Sequence, residues 1–190
     1  NPHQDAFVID HEDGSRGLPQ AKKIQGKALS YNNFLDGDAA LLCLNEFKKK
    51  PAGVIVKHNS PCGVGGGECI VFAFKNSLKV DSLSAFGGVV ALNKRCTASL
   101  AKQINTIFFE IVIAPSFEKE ALVIFSKKKN LRILKLSNYK PSPFSIKTIS
   151  GGSLGQENDM SSLRLKTLSF PTNKKPTASQ ISSLLLAWRV

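Results

Sequence analysis

A lysine and a histidine stand side by side where an apolar segment ends in a turn. Lys57 and His58 follow the sequence GVIV at 53–56, which has the composition of a buried strand, and Asn-Ser-Pro comes next. A buried strand cannot easily accommodate either side chain, so both should face a cleft or a partner. The lysine can stabilise a developing oxyanion and the imidazole can act as a base near neutral pH. The pair predicts group-transfer chemistry; the alternative is a turn histidine beside a lysine that extends into water.

The cysteines do not form a recognised metal or redox motif. Cys43, Cys62, Cys69 and Cys96 lack the short paired spacing of a zinc knuckle or a redox dithiol. His58 with Cys62 and Cys69 could be considered as zinc ligands, but zinc deaminases need Cys-x-x-Cys and His-x-Glu, and the sequence has neither. We therefore predict no metal site and reduced thiols.

The 190-residue chain is strongly basic, with a net charge of +12 from 26 Lys and Arg against 14 Asp and Glu. This charge favours anionic ligands. The lysine runs at 48–50, 127–129 and 174–175 have no interleaved aromatic residues on which bases could stack, so a nucleic acid partner is disfavoured. The first run fits a helix end, whereas the run at 127–129 fits either an anion site or a solvated loop.

Hydropathy gives no sign of a membrane protein. No apolar run approaches the roughly 18 residues of a membrane span, and the polar start lacks the apolar core of a signal peptide. We expect no membrane partner and a cytoplasmic location, or an organellar stroma if a targeting segment precedes the sequence.

Strand and helix signals alternate over residues 1–136 and would position these groups. Strands are predicted at 6–9, 53–56, 89–92, 111–114 and 131–136. Helices are predicted from a cap at Asp36 to Pro51, at 68–79, from a cap at Thr97 to 109, and at 117–125. The glycines of 63–67 are predicted to form a turn into the second helix. The alternation predicts a layered α/β sheet with crossover helices, whose ligands gather at the carboxyl ends of strands.

Residues 137–178 have a looser pattern, with prolines, glycines and weak strand signals typical of a connector. Thr177 is then a candidate cap for an amphipathic helix at 179–190. We interpret 1–136 as one α/β half, 137–178 as the connector and 179–190 as the start of a truncated second half.

Six short blocks carry a family resemblance that covers nearly the whole chain. They are GKALSYNN (26–33), DGDAA (36–40), KHNSPCG (57–63), SAFGG (84–88), EIVIAP (110–115) and SKKKNLR (126–132). In this order they closely resemble the transformylase domain of the AICAR transformylase/IMP cyclohydrolase family. The opening NPHQ is also similar to that domain's start.

The resemblance implies formyl transfer from 10-formyltetrahydrofolate, the cosubstrate, to the exocyclic amine of AICAR, which gives FAICAR. By motif, Lys57 is the oxyanion stabiliser and His58 the proton acceptor. Phe86 and Gly87 match residues that line the pocket for the nucleotide's base. Glu110 matches an acidic residue that contacts the substrate, although some relatives have Asp there.

Further implications concern the phosphate and the assembly. Lys129 is the candidate partner of the nucleotide phosphate. The family's transformylase domain resembles the cytidine-deaminase fold without its zinc, consists of two similar α/β halves and works as a homodimer. The chain would then be a fragment that supplies the first half. The alternative is a truncated, nonenzymatic homologue that binds a nucleotide or RNA.

Overall fold

The computed structural model describes residues 3–159, 161, 163, 166 and 168–190, and the chain divides into two compact units after Pro141. The elements of the first unit are β1 (Lys22–Gln25), α1 (Tyr31–Asn45), β2 (Ala52–Lys57), β3 (Ser60–Gly66), α2 (Ile70–Val80), β4 (Val89–Leu92), α3 (Ala98–Ile104), β5 (Ile111–Ala114), α4 (Lys119–Ser126) and β6 (Arg132–Lys135). None of the helices in the described ranges is long and apolar enough to cross a membrane.

Six strands form one mixed sheet in the order β1-β6-β5-β4-β2-β3. β4, β5 and β6 are parallel, and α3 and α4 make the two crossovers that parallel neighbours require. β2 is antiparallel to both β3 and β4, and β1 is antiparallel to β6. The predicted α/β sheet with crossover helices is thus confirmed.

The inner strands are apolar throughout because helices cover both faces of the sheet. Every residue of β4 and β5 is buried. α1 packs on one face through residues such as Leu41 and Leu44, while α2, α3 and α4 pack on the other through Phe74, Leu100 and Phe125. Burial on both faces explains why these strands have continuous apolar runs instead of alternating polarity.

α1 begins earlier than the sequence predicted. Ser30 is its N-cap, because the Ser30 hydroxyl accepts from the Asn33 backbone N–H and the Asn33 side chain accepts from the Ser30 N–H. These two reciprocal bonds form a capping box in which Asn takes the usual place of Glu or Gln. The prediction of Asp36 as the cap was wrong, and Asp36 lies inside the helix.

The glycine-rich segment is the main correction to the predicted elements. Residues 63–66 belong to β3, which forms a hairpin with β2, and α2 does not begin until Ile70. The predicted turn was wrong because glycine here serves close packing: a Cβ on Gly63 or Gly65 would lie within 2.3 Å of the backbone of Ser77 in α2. Glycine in a strand often marks such an approach of another backbone.

Near the start of the chain, one predicted strand is absent and one observed strand was not predicted. Residues 6–9 do not form a strand and are exposed, with Phe7 at 81% exposure. β1, which the sequence did not predict, pairs Lys22 with Lys135 at the border of the sheet. Its largely polar sequence KKIQ suits the edge position that β1 has in this six-stranded sheet.

The second unit contains a hairpin and a helix. β7 (Phe144–Ile149) pairs antiparallel with β8 (Gly152–Glu157), and Gly151 has a φ of +80° in the connecting turn. α5 (Ala178–Arg189) starts at the predicted cap, where the Thr177 hydroxyl accepts from the Gln180 N–H. The hairpin lies inside the predicted connector, and the division into a first half, a connector and a second half stays a prediction.

Candidate active site

One edge of the six-stranded sheet collects most of the predicted site residues. Val56, Val89, Ile111 and Arg132 pair in one row across β2, β4, β5 and β6. The next row outward therefore holds Lys57 and the residues that precede β4 and β5. Because β2 is antiparallel to β4, this edge is the carboxyl end of β2 but the amino end of β4, β5 and β6. The expectation that ligands gather at carboxyl ends of strands does not describe this edge.

Lys57 is the last residue of β2 and is half-buried. Its Nζ donates to the backbone carbonyl of Phe86, with a donor–acceptor distance of 2.9 Å. An ammonium group has three protons, so this bond leaves two for other acceptors. The contact ties the end of β2 to the loop that enters β4 and places the cation beside the SAFGG motif.

His58 lies in a two-residue turn between β2 and β3. Lys57 pairs with Ser60 across the turn, and His58 and Asn59 have φ values of 53° and 61°. Two consecutive positive φ values are typical of a type I′ hairpin turn, which matches the twist of the strands. The His58 side chain is exposed at the tip.

Phe86 and Gly87 lie beside Lys57, directly before β4. The Phe86 ring is 58% exposed and packs at 5.3 Å between centroids against Phe108. Gly87 has a φ of +76° and donates its N–H to the Phe108 carbonyl at 2.8 Å. An open, largely apolar cavity of about 470 Å³ adjoins this pair. Its lining residues are Ser82, Leu83, Phe86, Thr106, Ile107 and Phe108.

Glu110 directly precedes β5 and pairs with Arg132 at the start of β6. The Arg132 Nη1 to Glu110 Oε2 distance is 2.5 Å, and the exposed fractions of the two side chains are 11% and 38%. Arg132 also donates from Nε to the carbonyl of Ala28 at 2.9 Å. The arginine thereby holds a partly exposed carboxylate at the site edge. No role for Arg132 was predicted, and its only sequence signal is a cation at the start of a buried strand.

Lys129 lies in the loop that enters β6 from the same edge. It is exposed, and no hydrogen bond or ion pair involves it within the described part of the chain. Its neighbour Lys128 differs, because its Nζ donates to the carbonyls of Asn105 and Ile107 at 2.6 and 3.0 Å, and burial lowers its pKa. Of these two lysines, Lys128 is held by the fold and Lys129 is available to an anion.

The cysteines and histidines considered as metal ligands do not cluster. Cys62 is half-buried and its Sγ contacts the Ile55 carbonyl at 3.5 Å, while Cys69 is exposed at the start of α2. Among residues with described positions, no group of three or more His, Cys, Asp or Glu side chains could hold a metal ion.

The site edge thus holds a cation, an imidazole, an exposed aromatic ring, a glycine at positive φ and a carboxylate. A lysine and a histidine on adjacent residues can respectively stabilise negative charge and accept a proton. An exposed ring beside an apolar cavity can stack on a planar heterocycle. This set suits group transfer to or from a flat, polar substrate.

Comparison with known proteins gives one family over the full chain. The family described as the AICARFT/IMPCHase bienzyme matches residues 1–190. Proteins named "Bifunctional purine biosynthesis protein PurH" are 45% identical in Halalkalibacterium halodurans and 39% identical in Aquifex aeolicus. Each match covers 100% of this chain, and 38% and 37% of those relatives respectively. The chain thus spans well under half the length of these curated relatives.

Similar solved structures share only part of the architecture. A dCMP deaminase from the cyanophage S-TIM5 has a TM-score of 0.38 at 16% identity, over 51% of this chain and 91% of that chain. RibD from Acinetobacter baumannii has a TM-score of 0.41 at 14% identity, over 53% of this chain and 34% of that chain. Likeness at this level carries no argument about function.

Proposed function

This chain belongs to the AICARFT/IMPCHase bienzyme family, and from that premise we propose that it carries the formyl-transfer chemistry of purine biosynthesis. The reaction moves a formyl group from 10-formyltetrahydrofolate to the exocyclic amine of AICAR and yields FAICAR and tetrahydrofolate. The observation that supports the proposal most is the shared sheet edge, where Lys57 contacts the loop of Phe86 and Gly87 while His58 lies in the next turn.

The chemistry requires a cation and a base. The amine nitrogen attacks the formyl carbon, so a new C–N bond forms and the carbonyl oxygen gains negative charge. Lys57 stabilises this oxyanion with the protons that its bond to Phe86 leaves free. His58 accepts the proton that the amine loses. The bond from the formyl carbon to N10 of the folate then breaks, N10 takes up a proton, and tetrahydrofolate leaves.

The remaining predicted residues bind the nucleotide in this proposal. The exposed Phe86 ring stacks on the imidazole base, and Gly87 lets the base approach the backbone. Arg132 bonds one carboxylate oxygen of Glu110, Oε2, which leaves Oε1 for a substrate donor. The exposed Lys129 pairs with the phosphate as a point charge.

The assembly follows from the resemblance and not from contacts in the structure. We propose that two copies of the full gene product form a homodimer that shares its active sites and takes AICAR and reduced folate as ligands. A cytoplasmic location belongs to the same proposal.

The decisive experiment replaces His58 with Ala in the full gene product and measures the rate of FAICAR formation. Loss of a general base should lower kcat by on the order of 10²- to 10⁴-fold. Nucleotide binding should weaken much less, since the imidazole is proposed to act on the proton. His11→Ala is the matched control, because His11 is exposed and lies far along the chain from the site edge. A His58→Ala enzyme with near-normal turnover would remove His58 from the chemistry.

The same protein can be tested for the other ligand class. Calorimetric titration at two salt concentrations should show AICAR binding with a modest salt dependence. An RNA-binding protein would instead show a log–log slope near 0.7 per neutralised phosphate on a single strand, as a rough guide. Tight, steeply salt-dependent RNA binding without AICAR binding would contradict the proposed function.

A further inference from the structure

The turn that carries His58 is bonded to α1 through one side chain. The Asn59 backbone N–H donates to Oδ1 of Asp36, with a donor–acceptor distance of 2.6 Å. Asp36 is half-buried and lies in the second turn of α1, 23 residues before Asn59. We propose that Asp36 is a positioning residue that holds His58 at the site edge. The inference rests on the proposed role of His58 as proton acceptor.

An external contact can stabilise this turn, because neither of its residues is glycine. A type I′ turn puts both central residues at positive φ, and Asn-Gly or Gly-Gly is the usual sequence. His58 and Asn59 occupy that region here at 53° and 61°. Positive φ is uncommon for residues other than glycine, although histidine and asparagine adopt it more often than most. Without the bond to Asp36, the turn would therefore leave this conformation more often.

α1 is a rigid anchor for this bond. The capping box at Ser30 fixes the start of α1, and Leu41 and Leu44 on its sheet-facing side are buried in the core. Gly37, next to Asp36, packs so closely that a Cβ there would lie 2.5 Å from Cδ1 of Leu18. The carboxylate therefore projects from a helix that cannot easily shift.

Local helix physics does not explain an aspartate at this position. Asp has a poor propensity for helix interiors, and its favourable interaction with the helix dipole is confined to the first turn. Asp36 lies beyond that turn and Ser30 already caps the helix. The bond to Asn59 supplies the reason that the helix itself lacks. A charged acceptor also makes a stronger hydrogen bond than a neutral one.

The test compares Asp36→Ala and Asp36→Asn in the full gene product. Ala removes the acceptor, whereas Asn keeps an oxygen at the same place. Asp36→Ala should lower kcat by roughly 10- to 100-fold through misplacement of the base, with KM for AICAR changed by less than about threefold. Asn should restore kcat to within about fivefold of the original, since a neutral hydrogen bond remains. Glu46→Ala removes a carboxylate at the other end of α1 and should leave kcat unchanged.

Hydrogen exchange of a peptide that spans the turn provides a readout independent of activity. The Asn59 amide should exchange about tenfold faster or more in Asp36→Ala, and close to normally in Asp36→Asn. A normal kcat in Asp36→Ala, or an equal loss of kcat in Asp36→Ala and Asp36→Asn, would overturn the inference. If Asp36→Ala does not fold, Asp36→Leu, which also removes the acceptor, replaces it with the same expected results. If the original protein transfers no formyl group, the proposed function fails, and exchange alone shows whether Asp36 holds the turn.

Discussion

The contact between β3 and α2 makes a sharp prediction about two adjacent glycines. A Cβ on Gly65 would lie 2.3 Å from the backbone nitrogen of Ser77 and 2.5 Å from the carbonyl oxygen of Ala73. A Cβ on Gly66 would point to the other side of the strand, where the nearest atom is the Pro51 oxygen at 3.7 Å. Gly65→Ala should therefore destabilise the first unit, and Gly66→Ala should not.

The expected magnitude follows from which atoms collide. Overpacking usually lowers the free energy of unfolding by about 1–3 kcal/mol, and the upper end applies here because backbone atoms cannot rotate away. Alanine also restricts the unfolded chain, which stabilises the protein by roughly 0.4–1 kcal/mol. The net loss for Gly65→Ala is about 2 kcal/mol. For a domain of this size, Tm should fall by roughly 4–8 °C.

The assay must report on the first unit. Trp188, the single tryptophan, lies on α5 in the second unit, so its fluorescence would follow the wrong part of the chain. Thermal and urea unfolding followed by circular dichroism, with hydrogen exchange of peptides from 52–80, report on β2, β3 and α2. Equal stability of the two alanine variants would refute the close packing of β3 on α2.

Three further predictions concern the site and the thiols. Lys129→Ala should weaken AICAR binding more than binding of the dephosphorylated nucleoside, whereas the control Lys127→Ala should affect the two ligands equally. In calorimetry, an equal loss of both ligands in Lys129→Ala would exclude a phosphate contact. Arg132→Met should raise KM for AICAR more than it lowers kcat, because Arg132 orients the Glu110 carboxylate, which is proposed to bind the substrate and not to react. Steady-state kinetics that show a lower kcat with an unchanged KM would contradict this role. Cys69, which is exposed, should react first with a thiol reagent at pH 8. Cys96 is buried, and burial raises its pKa to about 12, so it should react only after unfolding. Early labelling of Cys96, detected by mass spectrometry of peptides, would contradict its burial.

Local sequence signals predicted the elements that depend on neighbours in the chain. The apolar runs of β2, β4 and β5 indicated buried strands because burial on both faces leaves no polar position. Thr97 and Thr177 were identified as caps, and each hydroxyl accepts from the backbone N–H three residues later. Both signals act within a few residues, which is why the sequence sufficed.

Signals from distant contacts were missed or misinterpreted. The glycines of 63–67 are typical of a turn unless it is known that α2 packs against them. β1 has no strand-like composition, and only its pairing with β6 makes it a strand. Tertiary contacts override local propensity in both cases.

The candidate site shows the same division. Lys57 and His58 are adjacent in sequence, so their shared position at the end of β2 could be predicted. Arg132 and Asp36 reach the site through contacts with residues 22 and 23 positions away. Their roles depend on strand register and on where α1 begins, and the sequence predicted neither at that precision.

The pairing of β1 with β6 has a consequence for how the protein folds during synthesis. β2, β3 and α2 lie within 52–80 and can associate early, whereas β1 must wait for β6, so a strand that is made before them pairs after them. Until then β5, and afterwards β6, present an open, apolar border that another chain can extend. Once in place, β1 covers that border with lysines, Lys22 and Lys23. Deleting residues 22–25 should therefore leave a protein that self-associates along β6 as it folds.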